Sequence, residues 1–225
     1  MLRCWMVRDI TSQKYFNQHC ITLEIGSSIT DDEFDTFNNV DLLARLTGAP
    51  DRSTILVSRG IGAVDTLNLK VHNEVFQYPS EYFIINNGGE LRFQLIVDSI
   101  YVRKEDQDKG IGVRSVMISI DQAKELGFHS VGLEAAGSAS NRSMFFGYHV
   151  WPSLGFDADL PSVILSKLPD ELQWCARVSD LMQADGGPDW WYYNGVGLEL
   201  TFELDDDSVS WKLLHEYAKA RGISI

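Results

Sequence analysis

The chain has 225 residues, of which 44% are hydrophobic and 23% are charged. This composition excludes intrinsic disorder, collagen and coiled coil, because it supplies enough apolar side chain for a sizeable hydrophobic core. Nineteen basic residues against 32 acidic ones give a net charge of −13, so nucleic acid is not expected as a partner, since Lys and Arg must replace the counterions around phosphate.

The first 50 residues predict a short strand followed by a helix. The strand is expected at residues 20–25, and Thr30-Asp31-Asp32-Glu33 is a capping box, in which side chains satisfy the free amides of a helix start. The sequence Gly48-Ala49-Pro50 ends the helix. Apolar residues recur between these signals at helical spacing, at Phe34, Phe37, Val40, Leu43 and Leu46.

Residues 53–103 predict β structure. Strands are expected at 54–58, 75–85 and 91–102, where β-branched and aromatic residues concentrate. The Asn-Asn-Gly-Gly sequence at 86–89 predicts a hairpin turn, because Asn and Gly tolerate the positive φ of tight turns.

Helix and strand alternate in the middle of the chain. A helix is expected over 110–126, closed by Gly127, and a strand over 130–135. Together with the strand before the helix, this order predicts a parallel strand pair joined by a right-handed crossover.

The last third of the chain predicts an ordered extension of helices and strand. A helix is expected over 169–183, and Gly186-Gly187-Pro188 breaks it. Alternating apolar residues from Val196 to Leu204 predict a half-buried strand. Ser208 is the expected N-cap of a final helix, which Gly222 ends. The inward-facing residues of that helix are expected to be Trp211, Leu214 and Tyr217.

Residues 100–114 form the segment with the strongest binding motif. A strand runs into a polar loop with the pattern Gln-x-x-Gly-x-Gly at 107–112, and a helix starts immediately afterwards. The first amides of a helix lack internal partners, so together with the helix dipole they can bind an anion. Lys104, Lys109 and Arg114 add positive charge. The segment therefore predicts a cradle for a diphosphate.

A Rossmann dinucleotide site and a P-loop match the glycine pattern less well. The order of the glycines differs from that of a Rossmann site, and the Lys and Ser/Thr pair of a P-loop is missing. On its own, the pattern also fits a simple turn, since glycine is common at loop-to-helix junctions.

The order of elements over about residues 90–157 resembles the acetyl-CoA half of the GNAT N-acetyltransferase superfamily. The matching features are the strand, the Gln-x-x-Gly-x-Gly loop and its helix, the strand Val131-Gly132-Leu133-Glu134-Ala135, and the segment 145–156 that ends in Gly155-Phe156. The resemblance implies an α/β fold with a mixed, splayed β-sheet and helices on both faces. It further implies a GNAT-like acyl-CoA-binding core with N-terminal acceptor-side elements over 1–160, and an α/β C-terminal extension packed on it over 161–225.

The resemblance also implies a set of residues that bind acetyl-CoA. The pyrophosphate loop corresponds to Gln107, Lys109, Gly110, Ile111, Gly112 and Val113. Tyr101 and Val102 would offer backbone groups to the pantetheine arm, in a gap between strands 95–103 and 130–135. Asn141 lies near the position of a cofactor-contacting Asn in the family, although the preceding loop at 137–140 is longer here.

Catalysis in this family requires a base for the amine and a proton for the departing thiolate. Asp98 and Glu134 are the two candidate bases, and a structural role for either carboxylate stays open. Trp151 occupies the position of the usual acidic tyrosine, so Tyr148, one helical turn earlier, is the expected acid. His149 and release of the thiolate to solvent are the alternatives.

The remaining features concern partners and compartment. No apolar run approaches the roughly 20 residues that span a bilayer, and Cys4, Cys20 and Cys175 form neither a disulfide framework nor a zinc pattern. We therefore expect a cytoplasmic protein without a membrane partner or a bound metal. The acidic balance favours a cationic acceptor, although acid that only keeps the surface soluble is the simpler explanation. Formation of a homodimer is left open.

The aromatic sequence at 190–193, Trp-Trp-Tyr-Tyr, has two interpretations. It could form a platform for a cationic substrate, or it could pack between the extension and the main sheet. The function expected from the whole sequence is transfer of acetyl from acetyl-CoA directly to a primary amine, either a small amine or a protein lysine or N-terminus. The alternative is a catalytically silent binding or interaction protein with the same fold.

Overall fold

The computed structural model describes residues 8–27, 29, 39–60, 65–87, 90–96, 100–142 and 145–225, with the backbone alone at 65, 86–87 and 90–96. The chain is an α/β protein with two compact units. The first contains Met1–His129 together with Ala218–Ile225, and the second is Ser130–Tyr217. The domain boundary expected at residue 160 stays a prediction.

The first unit is built on a mixed sheet, as the sequence predicts. Strand β1 pairs in parallel with β2, and the successive pairs from β2 to β5 are antiparallel. The strands are β1 (Thr22–Ile25), β2 (Thr54–Arg59), β3 (Asp65–His72), β4 (Ser80–Asn87) and β5 (Glu90–Ile96).

Strand β3 lies in the region expected to be β, although the sequence does not single it out. Its buried residues Leu67, Leu69 and Val71 alternate with half-buried polar ones, which is the period of a strand with one face on the core. The cross-strand pair Lys70–Glu81 joins its polar face to β4 with a 2.9 Å ion pair.

The hairpin expected at 86–89 is supported by the strand register. Asn87 pairs with Glu90, which leaves a two-residue loop, as short Asn and Gly turns favour. The two loop residues, Gly88 and Gly89, lie outside the described part of the chain. The returning strand, β5, is described as far as Ile96. Further along the chain, Val102 forms an isolated antiparallel bridge with Phe76.

In the described part of the first unit, three α-helices accompany this sheet: α1 (Ile10–Tyr15), α2 (Val40–Leu46) and α3 (Ile111–Glu125). The prediction of one continuous helix up to residue 46 is wrong at Asn39. Asn39 is extended, and its side chain caps α2 by accepting from the Leu42 amide at 3.1 Å. The capping box expected at 30–33 lies outside the described residues.

Gly48 and Gly127 end α2 and α3 as the sequence predicts. Both have positive φ, +54° at Gly48 and +76° at Gly127. A Cβ at Gly48 would collide with the Ser115 carbonyl, so glycine lets α2 approach α3 closely. Ser119 of α3 completes this contact by donating to the Leu46 carbonyl at 2.6 Å.

The second unit combines one antiparallel strand pair with five helices in its described part. Strand β6 (Ser130–Glu134) pairs with β7 (Glu199–Glu203), in the two places where the sequence predicts strands. Tyr148 and Trp191 are fully buried at the centre of its apolar core. The helices are α4 (Gly147–Ser153), α5 (Ser162–Leu165), α6 (Val178–Gln183), α7 (Gly187–Asn194) and α8 (Val209–Ala220), whose last residues belong to the first unit.

The continuous helix expected over 169–183 is wrong. A single 3₁₀ turn covers Asp170–Leu172, and α6 begins only at Val178. The reason is the Asp180 carboxylate, which accepts from the Ala176 and Arg177 amides at 2.9 Å each and so fixes a new helix start.

The final helix begins and ends where the sequence predicts. Ser208 directly precedes it, as expected of the N-cap residue, and the Ser208 hydroxyl donates to the Glu203 carbonyl at 2.8 Å. Gly222 has φ +62° and follows the helix end. Of the helices in the described ranges, none combines the length and apolar character that a membrane crossing requires.

Candidate functional site

The loop that joins Val102 to α3 is shaped by its own hydrogen bonds. One 3₁₀ turn spans Lys104–Asp106, after which Asp108 and Gly110 take positive φ of 62° and 69°. The Gln107 side-chain amide donates to the Val102 carbonyl at 3.1 Å, and the Gln107 backbone amide donates to the Arg103 carbonyl at 3.0 Å. Gln107 therefore holds the loop and does not project toward a ligand.

Gly110 is required at the start of α3. It is the N-cap residue in left-handed conformation, and no side chain caps this helix among the described residues. A Cβ at this position would lie 2.5 Å from the Arg114 Nη1 atom. Both the backbone angle and the close approach of Arg114 explain why a glycine stands here.

The amides at residues 110–113 are available to bind an acceptor. Within the described ranges, none of these four N–H groups donates a hydrogen bond. A Cβ at Gly112 would only touch Val102 and Ile100 at 3.5 and 3.6 Å, so this glycine keeps the helix start open but is not demanded by crowding. A row of free amides at the N-terminal end of a 15-residue helix can bind a phosphate or a carboxylate.

Two of the three cations expected to support the loop are already paired. Lys109 Nζ lies 2.6 Å from Asp106, and this hydrogen bond raises the Lys109 pKa. Arg114 is 5% exposed and lies 2.8 Å from the Asp9 carboxylate. Lys104 is exposed, without an ion pair among the described side chains. Anion binding at this loop would therefore depend mainly on backbone amides.

Tyr101 and Val102 differ in what their backbone can offer. The Tyr101 carbonyl accepts from the Gln77 amide at 2.7 Å, and the Arg103 amide donates to the Val75 carbonyl at 2.9 Å. The groups of residues 101 and 103 therefore face the segment 75–77, which lies between β3 and β4. Because backbone groups alternate along a strand, those of Val102 face the other way, where its carbonyl accepts from Gln107.

Asn141, expected to contact the cofactor, closes a turn in the second unit. Its Oδ1 accepts from the Ser138 amide at 2.7 Å and the Ser138 hydroxyl at 3.1 Å. The side-chain oxygen is thus occupied by its own loop.

Tyr148, the expected acid, is a core residue of the second unit. Its side chain is fully buried, and its hydroxyl donates to the Tyr192 carbonyl at 2.7 Å. Burial raises the Tyr148 pKa above its ordinary value. Trp151 is also buried, 6% exposed, with its ring against Phe156. The hydroxyl proton of Tyr148 is therefore engaged in a hydrogen bond within the core.

His149 lies in an aromatic cluster beside Tyr148. Its ring contacts Phe146 and Tyr192 with centroids 5.0 and 5.1 Å apart. Burial lowers the His149 pKa, and among the described residues its Nδ1 atom has no hydrogen-bond partner. A neutral imidazole in this setting can accept a proton.

Of the two expected bases, the structure describes Glu134 but not Asp98. Glu134 is exposed at the end of β6, directly opposite Glu199 of β7. Two carboxylates in register repel each other unless a cation lies between them. Asp98 lies outside the described residues. No group of three or more His, Cys, Asp or Glu side chains in the described ranges is arranged to hold a metal ion.

The aromatic sequence at 190–193 divides between the two roles considered for it. Trp191 is fully buried, and its indole donates to the Tyr148 carbonyl at 2.8 Å. Tyr193 is 64% exposed, and the Arg142 guanidinium lies over the rings of Tyr192 and Tyr193 at 5.2 and 5.5 Å. The position that a cation could occupy is thus taken by Arg142.

Comparison of the chain with models of known families, with curated proteins and with solved structures finds no match.

Proposed function

We propose that the protein is an acetyl-CoA-dependent N-acetyltransferase that transfers an acetyl group directly to a primary amine. The observation that carries the proposal is the row of free amides at 110–113, which follows a strand-like segment and begins a long helix. The GNAT-like order of elements over residues 90–157 is the second support.

The residues at this loop fit the diphosphate of CoA. Four amides without acceptors among the described residues, a glycine N-cap and a side-chain-free position at Gly112 leave room for a dianionic group. When bound, acetyl-CoA supplies the activated acetyl group. The loop would hold its diphosphate, and the Val102 amide would be free to bind the arm that leads to the thioester.

The amine must lose a proton before it attacks. Glu134 is the described candidate for this base, because its carboxylate is exposed and lies directly opposite the carboxylate of Glu199. A paired carboxylate site of this kind would also attract a cationic amine. His149, whose buried Nδ1 atom has no hydrogen-bond partner among the described residues, is the second candidate.

The experiment that tests the proposal compares two glycine variants of α3. Gly110→Ala and Gly127→Ala both place alanine at positive φ, so each should lose on the order of 1 kcal/mol of stability. Only Gly110→Ala should weaken CoA binding, by about tenfold, which corresponds to about 1.4 kcal/mol. Isothermal titration calorimetry measures the Kd, and equal Kd values for the two variants would contradict the loop as the binding site.

A catalytically silent CoA-binding protein is the second candidate function. It is favoured by the Tyr148 hydroxyl, which is buried and hydrogen-bonded to the Tyr192 carbonyl, and by Trp151 at the usual acid position. Single-turnover assays with labelled acetyl-CoA and a panel of amines distinguish the two. Product formation supports the transferase, whereas CoA binding without product from any amine supports the silent protein.

A further inference from the structure

Arg114 connects the loop before α3 to Asp9 and Ser12, at the start of α1. Its Nη1 donates to the Lys109 carbonyl at 2.9 Å and to the Gly110 carbonyl at 3.0 Å. On its other side, Nη2 lies 2.8 Å from the Asp9 carboxylate, and Nε donates to the Ser12 hydroxyl at 3.0 Å. At 5% exposure, this side chain is buried within the first unit.

These two carbonyl contacts fix the direction of two amides. In a trans peptide, the C=O group and the following N–H point in opposite directions, and the described chain has no cis peptide bond. When Arg114 holds the carbonyls of Lys109 and Gly110 on its own side, the N–H groups of Gly110 and Ile111 must face away from it. On the side that these N–H groups face, no described residue accepts a hydrogen bond from them.

Asp9 keeps Arg114 in this position. Its carboxylate accepts from the Ser12 amide at 2.9 Å and from the Ser224 amide at 2.8 Å, in addition to Arg114. Burial alone would raise the Asp9 pKa, but these hydrogen bonds outweigh it and hold the pKa well below its ordinary value. Asp9 is therefore a fixed anion that orients the guanidinium.

We infer that Arg114, held by Asp9, is a positioning residue that aims the Gly110 and Ile111 amides at the bound diphosphate. The inference rests on the proposed function for its ligand, but the orientation of the loop can be measured without one. Arg114 does not contact the anion itself, because its charge is paired with Asp9 and its donors are engaged.

The test uses Arg114→Met and Arg114→Lys, with Ser119→Ala as a matched control. Ser119 lies on the same helix and donates to the Leu46 carbonyl, so its loss lowers stability without touching the loop. Loss of the charged hydrogen bonds in Arg114→Met should raise the Kd for CoA about tenfold or more. Arg114→Lys should recover only part of this affinity, since an ammonium group cannot form the planar fork. Ser119→Ala should leave the Kd within about twofold.

A second measurement follows the backbone order of the loop in the absence of CoA. Backbone ¹⁵N relaxation should give order parameters of about 0.85 at residues 109–111 in the parent protein and below about 0.6 in Arg114→Met. Ser119→Ala should match the parent protein. A variant that fails to fold is replaced by Asp9→Asn, which loosens the same guanidinium while keeping an acceptor.

The outcomes separate this inference from the proposed function. If the parent protein does not bind CoA but the loop loses order only in Arg114→Met, the proposed function fails and the orienting role stands. If CoA binds Arg114→Met as tightly as the parent protein, the positioning role is overturned. An equally ordered loop in Arg114→Met would overturn it as well.

Discussion

At the scale of single residues, Asp9 carries the clearest electrostatic consequence. Its folded pKa lies well below the ordinary aspartate value of 3.8, despite burial, because the Ser224 and Ser12 amides and Arg114 bind the charged form. A group with a lowered folded pKa stabilises the protein above its unfolded pKa, and this stability is lost as pH falls through the folded value.

Asp9→Asn should therefore lower the free energy of unfolding, and the size of this loss should depend on pH. Between about pH 5 and pH 8 the loss relative to the parent protein should be constant. Below about pH 4 it should shrink, because Asp9 of the unfolded parent chain then binds a proton that the folded protein takes up only at much lower pH. Urea unfolding at a series of pH values measures this difference. A loss that grows on acidification would contradict the assignment.

At the scale of elements, side-chain contacts fix where α6 begins. Asp157 is buried and makes three contacts with the start of this helix: its carboxylate lies 2.6 Å from Arg177 and accepts from the Ser179 amide at 2.8 Å and hydroxyl at 2.8 Å. Asp159 contacts the same arginine at 3.0 Å, but its side chain is 87% exposed.

Asp157→Asn should destabilise the second unit by about 2 kcal/mol, because it removes the charge that strengthens the hydrogen bonds from the Ser179 amide and hydroxyl and that pairs with Arg177. Asp159→Asn should cost no more than about 1 kcal/mol, since an exposed pair is screened by solvent. Urea denaturation followed by tryptophan fluorescence compares them. Equal losses for the two variants would mean that burial does not set the strength of this contact.

Local sequence patterns predict some of these elements and miss others. Strand β7, helix α3 and the turn glycines Gly127 and Gly222 follow from the sequence, because periodicity and positive φ are local properties. The helix break before Val178 depends on Asp180, a local contact that hydrophobic periodicity does not detect, and on Asp157, whose contact with Ser179 spans 22 positions.

The site divides in the same way. The free amides of the loop follow from the Gly-x-Gly pattern at 110–112. The pairing of Arg114 with Asp9 links residues 105 positions apart, so no local signal reveals that this cation is already neutralised. Likewise, nothing near Tyr148 in the sequence indicates that its hydroxyl binds the Tyr192 carbonyl.

At the scale of the whole molecule, net charge opposes one expected ligand and favours the other. The charge of −13 repels a polyanion such as CoA at long range and attracts a cationic amine. Salt screens both effects, since the Debye length falls to about 8 Å at physiological ionic strength.

Raising NaCl from about 20 to about 200 mM should therefore speed CoA association and raise the KM for a cationic amine, each by a few-fold. Stopped-flow binding and steady-state kinetics measure the two quantities, and a neutral amine serves as the control. Slower CoA association at high salt would mean that the potential at the loop is positive despite the net charge.

The path of the chain between the two units bears on biosynthesis. The first unit takes its closing segment, Ala218–Ile225, from the far end of the sequence, and there the backbone of Ser224 exchanges hydrogen bonds with Asp9. A ribosome synthesises these residues after the second unit, so the nascent first unit must wait for the whole of Ser130–Tyr217 to be translated before it can acquire them. Premature termination anywhere in the second unit would thus also leave the first one incomplete.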